Sequence, residues 1–193
     1  MSELLKSVKD KVVSCTRCNL SKTRTNAVPG IGGENSEVIF VGEAPGRNED
    51  LQGKPFVGTA GQILTEALEY AGFSRDKVYI TNVVKCRPPN NRQPVTEERD
   101  ACREYLSDEI KIIKPKIICI LGNTAYSSLL DGNSITRNRG KIVKNGDQLY
   151  FITVHPAAII YNPPLRQILK DDFVLLAQTL DKLRKGLDVE VSK

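Results

Sequence analysis

The sequence predicts an α/β domain with a central parallel four-stranded sheet flanked by helices on both faces. Two observations carry that reading. Four short β-rich runs, Glu37 to Val41, Lys77 to Val84, Lys116 to Leu121 and Leu149 to Val154, are mostly aliphatic and alternate only weakly, as strands covered on both faces do. Helical spacing fills the segments between them, and strands that alternate with helices join through right-handed crossovers into a parallel sheet.

Taken in order, the first element is a helix over 4–13, with Leu4, Leu5, Val8 and Val12 on one side, that delivers Cys15. After the first strand comes GEAPGRNED (42–50), where glycines let backbone amides approach a ligand. Leu64, Ala67, Leu68 and Ala71 are spaced for a second helix that Gly72 ends. Beyond the second strand, Thr96 is placed to cap a helix whose first turn carries Glu97 and Glu98, with Cys102, Leu106, Ile110 and Ile113 facing inward. GNTA (122–125) follows the third strand and HPAA (155–158) the fourth. Leu169, Phe173, Leu176, Leu180 and Leu183 mark a long last helix, and the tail over 186–193 is expected to fray.

At 193 residues the chain reads as one domain, 1–193, with the segment 1–20 tied to the core through its cysteines. It is 40% hydrophobic and 26% charged, which argues against intrinsic disorder. The longest aliphatic run, Ile117 to Leu121, is far short of a membrane span, and residues 1–14 lack the apolar core of a secretory signal. A cytoplasmic address is therefore expected. The net charge of +5 is compatible with a polyanionic partner without establishing one.

Five cysteines in such a chain point to metal chemistry before disulfides. Cys119, inside KIICILG, reads as a small core hydrophobe. Cys15 and Cys18 form a C-x2-C pair and Cys86 and Cys102 a C-x15-C pair, which would complete a four-sulfur shell if the fold brings both pairs together. Four thiolates suit zinc or an iron–sulfur cluster; spacing alone leaves the two evenly matched, with C-x15-C favouring the larger [4Fe–4S] cluster.

In an open α/β sheet the ligand lies beyond the carboxyl ends of the strands. The residues gathered there include Glu43, Asn82 and His155, the only histidine. An imidazole at that edge can donate a hydrogen bond to a developing anion, whereas a lone histidine is more often structural. The Asn82 amide carries both a donor and an acceptor, as reading a pyrimidine edge requires, and Phe56 in GKPFVGTAGQ is either core or a stacking platform for a base. Neither a dinucleotide fingerprint nor a P-loop lysine is present, so those nucleotide-binding classes lose support. Lys85, Arg87 and Arg92, then Arg137, Arg139, Lys141 and Lys144, are ordinary surface charge unless both loops flank His155, when they form a groove for a phosphate backbone.

With these motifs in hand, the chain resembles the family 4 uracil-DNA glycosylases, the iron–sulfur branch of that superfamily. The resemblance rests on GEAPGRNED (42–50), GKPFVGTAGQIL (53–64), YITNVVKCRPPNNRQP (79–94), ITRNRGK (135–141) and HPAA (155–158), in that order, together with the four cysteines. It runs from Cys15 to the last helix. It implies a uracil-DNA glycosylase-like fold and hydrolysis of the N-glycosidic bond of uracil in single- or double-stranded DNA, leaving an abasic site. It also implies a structural [4Fe–4S] cluster on Cys15, Cys18, Cys86 and Cys102.

Carried over residue by residue, the resemblance makes Asn82 the reader of the uracil edge, Phe56 the stacking ring and His155 the donor to the departing base. Gly42, Glu43 and Ala44 line the pocket, Glu49 bears on water placement or on rejecting thymine's methyl group, and Asn91 is a further pocket residue. Of the basic loop residues, Arg87, Arg92, Arg137, Arg139 and Lys141 are the expected DNA contacts if both loops flank His155. The best-known branch of the superfamily has Asp where this chain has Ala44, which removes the obvious carboxylate partner for water. Ile159, Ile160 and Tyr161 are candidates to wedge into the duplex. The protein is expected to act as a prokaryotic monomer. Partners on a replication clamp or in repair fit such an enzyme, although no docking motif stands out. Two other classes compete: an iron–sulfur electron carrier, which leaves Asn82, Phe56 and His155 unexplained, and a non-catalytic zinc module that binds DNA and leaves it intact.

Overall fold

A computed structural model describes residues 3–192, so Met1, Ser2 and Lys193 of the expected domain lie outside it. Its centre is one sheet of five strands: β1 (Val38–Gly42), β2 (Tyr79–Asn82), β3 (Ile117–Leu121), β4 (Ile142–Asn145) and β5 (Gln148–Thr153). They lie in the order β2-β1-β3-β5-β4. The first three pairings are parallel, with Gly42 beside Asn82 and Val41 beside Ile120. β4 is antiparallel to β5, so the sheet is mixed rather than parallel and four-stranded. The extra strand escapes a reading by hydrophobic runs because it has only two apolar residues, Ile142 and Val143. A two-residue turn at Gly146 and Asp147 folds it back onto β5.

Eight helices surround the sheet: α1 (Glu3–Val13), α2 (Arg47–Gln52), α3 (Thr59–Tyr70), α4 (Thr96–Ile113), α5 (Asn123–Leu130), α6 (Ile135–Asn138), α7 (Ala158–Tyr161) and α8 (Leu165–Arg184), counted among the described residues. The pleat sends alternate strand residues to opposite faces. Val38, Phe40, Ile117, Cys119, Leu121 and Phe151 meet Leu64 and Leu68 of α3 and Phe173 and Leu176 of α8. Ile39, Val41, Ile118 and Ile120 meet Val8 and Val12 of α1 and Tyr105 and Leu106 of α4. Both faces are therefore dry, which is why the strand runs lack alternation. No helix among the described residues is long and apolar enough to cross a membrane.

Several local expectations shift. Leu4 is exposed, so the buried face of α1 is Leu5, Val8 and Val12. Val95, not Thr96, precedes α4 as its cap, and the Glu98 carboxylate accepts a hydrogen bond from the Val95 N–H at 3.0 Å. On the inward face of α4, Ile110 is only partly buried; the same holds for Leu183 at the end of α8. β2 ends at Asn82, and the Val83 and Val84 N–H groups beyond it still donate to the carbonyls of Gly42 and Glu43, both at 3.0 Å. The tail after Gly186 forms no helix or strand, yet Val189 packs on the core and the Ser192 N–H donates to the Ile142 carbonyl at 2.7 Å.

Candidate active site

The carboxyl ends of β1, β2 and β5 open into a cavity of about 540 Å³ lined by Glu43, Ala44, Glu49, Phe56, Asn82, Asn91 and His155. A larger hollow of about 670 Å³ at the other end of the sheet holds surface residues such as Glu37 and Arg184, which pair with each other. Chemistry converges only on the first.

Three side chains define the floor. Asn82 is 2% exposed, and its Oδ1 is the one buried side-chain nitrogen or oxygen among the described residues without a hydrogen-bond partner. A buried acceptor left unpaired costs about 1–3 kcal/mol, so its position asks for a donor from outside the chain. Phe56 stacks on His155 with ring centroids 5.7 Å apart and planes at 29°. Gly42 lies behind both: a Cβ there would stand 2.5 Å from Asn82 Oδ1 and 2.6 Å from the Phe56 ring, so any side chain would push into the floor.

His155 is held in one protonation form. Its Nδ1 accepts a hydrogen bond from the Ala157 N–H at 3.1 Å, which leaves the proton on Nε2. The residue keeps an edge toward the cavity, but protein surrounds the ring closely enough that desolvation dominates. Burial lowers the pKa to about 4, against the upward pull of the Glu49 carboxylate. At neutral pH the ring is an uncharged donor.

The two carboxylates differ. Glu49 is spent on backbone: Oε1 accepts from the N–H groups of Val57 and Gly58 at 2.9 and 2.8 Å, and Oε2 from Gly46 at 3.1 Å. It braces the loop that carries Phe56. Glu43 faces the cavity and accepts a hydrogen bond from the hydroxyl of Thr124 on α5, a residue that sequence reasoning did not single out.

Cys15, Cys18, Cys86 and Cys102 share one core layer, close enough for their charges to interact. Cys86, just past β2, and Cys102, on the inward face of α4, are buried in this layer, and Cys15 and Cys18 pack against it. Among the described residues no three Cys, His, Asp or Glu side chains form a group able to hold a single metal ion. The sulfurs do receive donors: the N–H of Lys85 to Cys102 at 3.2 Å, that of Arg17 to Cys15 at 3.5 Å, and the Arg24 guanidinium to Cys86 at 2.9 Å. Arg24 also donates to the carbonyls of Val13 and Cys15, so it ties the two pairs together; no motif flagged it. Burial raises the Cys86 thiol pKa and pushes Cys102 up to about 12, opposed by Arg24 at the first and by Lys85 at the second.

The Uracil DNA glycosylase superfamily model matches residues 29–181. A type-4 uracil-DNA glycosylase of Sulfurisphaera tokodaii is 52% identical over 88% of this chain and 81% of its own length. One of Archaeoglobus fulgidus is 44% identical over 96% and 98%. The chain belongs to the type-4 uracil-DNA glycosylases. A type-5 uracil-DNA glycosylase of Pyrobaculum aerophilum is more distant, at 31% identity over 70% of this chain and 67% of its own length.

In this type-4 chain the basic residues fall into two sets. Arg137 and Lys141 are exposed, with Lys141 donating to Asn138 Oδ1 at 2.9 Å, and Lys144 is exposed on β4. Arg87 donates its Nε–H to Asn91 Oδ1 at 2.7 Å, which places that asparagine on the rim of the cavity. Arg92 also stands on the rim but grips Glu98 through both terminal nitrogens, at 2.8 and 2.7 Å. Arg139 is turned inward to Asp172, which is 3% exposed and also accepts from the Thr153 hydroxyl at 2.6 Å. Lys85 is not a groove cation at all. It is buried with Glu109 at 2.7 Å, and that carboxylate also accepts from Thr81, Tyr79 and the Gly30 N–H. A flexible ammonium behind β2 finds a carboxylate more readily than solvent, and sequence position alone does not reveal this.

Proposed function

We propose that this chain excises uracil from DNA by hydrolysing its N-glycosidic bond, with Asn82, Phe56 and His155 forming the base pocket. The single observation that carries the site assignment is the unpartnered Oδ1 of Asn82, which faces the cavity beside the Phe56–His155 stack. A ring N–H of uracil supplies the donor that this oxygen lacks, and the amide N–H groups face the neighbouring carbonyl. The base must leave the duplex to arrive there. Extrusion costs about a few kcal/mol, which phosphate contacts and stacking on Phe56 offset.

As the glycosidic bond lengthens, negative charge grows on the uracil oxygens and positive charge on the sugar. The Nε2–H of neutral His155 is aimed to strengthen its hydrogen bond as that charge develops, a contribution of about 3–4 kcal/mol by analogy with other anion sites. Glu49 has its oxygens on backbone N–H groups, so Glu43, steadied by Thr124, is the carboxylate better placed to hold the attacking water. Ile159 is in the core while Ile160 and Tyr161 stand exposed at the cavity rim, which supports one of the latter two as the wedge. Cys15, Cys18, Cys86 and Cys102 would hold the [4Fe–4S] cluster; their convergence and the donors aimed at three of the sulfurs support the fit. When bound, the cluster supplies a structural cross-link and no electron transfer.

The test is a single-uracil oligonucleotide, single- or double-stranded, incubated with the protein and then treated with alkali. Strand scission at the uracil position is expected, and scission no greater than in a protein-free control would overturn the reading.

A further inference from the structure

The geometry points to Arg75, which does not line the cavity, as a positioning residue that holds the Phe56 ring in its stacking place. Phe56 has a backbone φ of +51°, a left-handed conformation that a bulky side chain rarely adopts. Such a residue persists only where its surroundings over-determine it. Here the loop is gripped from two sides. Glu49 takes its N–H groups at Val57 and Gly58. Arg75 takes its carbonyls, donating to Phe56 O at 2.8 Å and Pro55 O at 3.3 Å. The other terminal nitrogen of Arg75 is fixed by the Thr65 hydroxyl on α3 at 2.8 Å. The start of α3 presses on the same carbonyl, since a Cβ on Gly61 would stand 1.9 Å from Phe56 O.

The electrostatics agree with this division of labour. Arg75 is half-buried, and desolvation alone accounts for its lowered pKa, with no carboxylate among the described residues paired to it. A guanidinium drawn from water without a counter-ion and directed at two consecutive carbonyls serves that loop. Arg75 also lies four residues before β2, the strand that ends at Asn82. The clamp therefore references the stacking ring to the strand that carries the reading amide.

This inference rests on the base-stacking reading given above, and a double-mutant cycle separates the two. Arg75→Met, Arg75→Lys, Phe56→Ala and the double variant Phe56→Ala with Arg75→Met are compared below their thermal transitions. The measurements are the single-turnover rate on a uracil oligonucleotide and the inhibition constant of free uracil. Arg75→Met should lower the rate and weaken uracil inhibition, each about 10-fold. Arg75→Lys, which keeps the charge but not the fork, should recover part of both. In the Phe56→Ala background, Arg75→Met should have no further effect. Multiplying deficits in the double variant, or normal uracil inhibition in Arg75→Met, would overturn the clamp while leaving the stacking role standing. Wild-type values for Phe56→Ala would overturn the stacking role and the clamp together.

Discussion

The proposed base pocket and the cysteine region are joined by the short stretch from Val83 to Cys86, yet they treat their polar groups in opposite ways. Around the cysteines, donors are aimed at sulfur: two backbone N–H groups and the Arg24 guanidinium, which also binds carbonyls on the far side of the C-x2-C turn. In the pocket, a buried oxygen is kept without a partner. The first arrangement is that of a joint and the second that of a receptor. The shared backbone explains how one supports the other, because Val83 and Val84 leave the cysteine side to bond the carbonyls of Gly42 and Glu43 in the pocket wall.

That contrast can be broken most severely at the joint. Replacing Cys102, on the buried face of α4, by Ser removes a proposed cluster anchor and should cost about 4 kcal/mol or more of stability, with loss of iron from the protein; thermal denaturation and iron content report both. If the joint and the receptor are separate, Asn82→Ala should do the reverse: the single-turnover rate falls about 10²–10³-fold while iron content and thermal midpoint hold. His155→Ala should follow the same pattern. A fall in iron content on either pocket substitution would merge the two regions into one.

The basic loop allows a finer distinction. Arg139→Ala leaves the buried Asp172 unpaired and should cost about 3 kcal/mol of stability. Arg137→Ala, two residues away and exposed, should leave the thermal midpoint unchanged and reduce the salt slope of DNA binding by about 1. The mildest test is pH. Since the folded pKa of His155, about 4, lies below the ordinary value near 6.5, the unfolded chain binds this proton more readily. The stability tied to this group is therefore full above about pH 6.5 and is lost as pH falls toward 4. Activity should likewise persist from pH 7 to 5 and fall only near 4, and a half-maximal point near 6.5 in a pH–rate profile would refute the buried neutral imidazole.

Much of this was legible in the chain because spacing and position carry it. Four aliphatic runs located the parallel strands, and the motifs after them located Glu43, Asn82 and His155 at one edge. What escaped depends on contacts that spacing does not encode. β4 is too short and too polar to stand out until β5 pairs with it. Lys85 and Arg139 look like surface cations, and only the fold brings Glu109 and Asp172 to them. Glu49 lines the cavity as its motif suggests, but spacing does not announce that its oxygens also accept from three backbone N–H groups, of Gly46 and the loop before α3. Arg24 and Arg75 act through partners distant in sequence and nothing near them announces it, while GNTA marked the segment of Thr124 but not its hydrogen bond to Glu43.

The borders of the sheet carry a consequence for life at high concentration. On one flank Ile31 exchanges two backbone hydrogen bonds with Ile80, at 2.9 and 2.8 Å; on the other, Ser192 covers the Ile142 carbonyl. Each outermost strand is thereby blunted by a single crossing residue, with Lys144 adding charge on the second. A neighbouring copy finds no long bare ladder to extend, which protects the molecule from strand-by-strand aggregation.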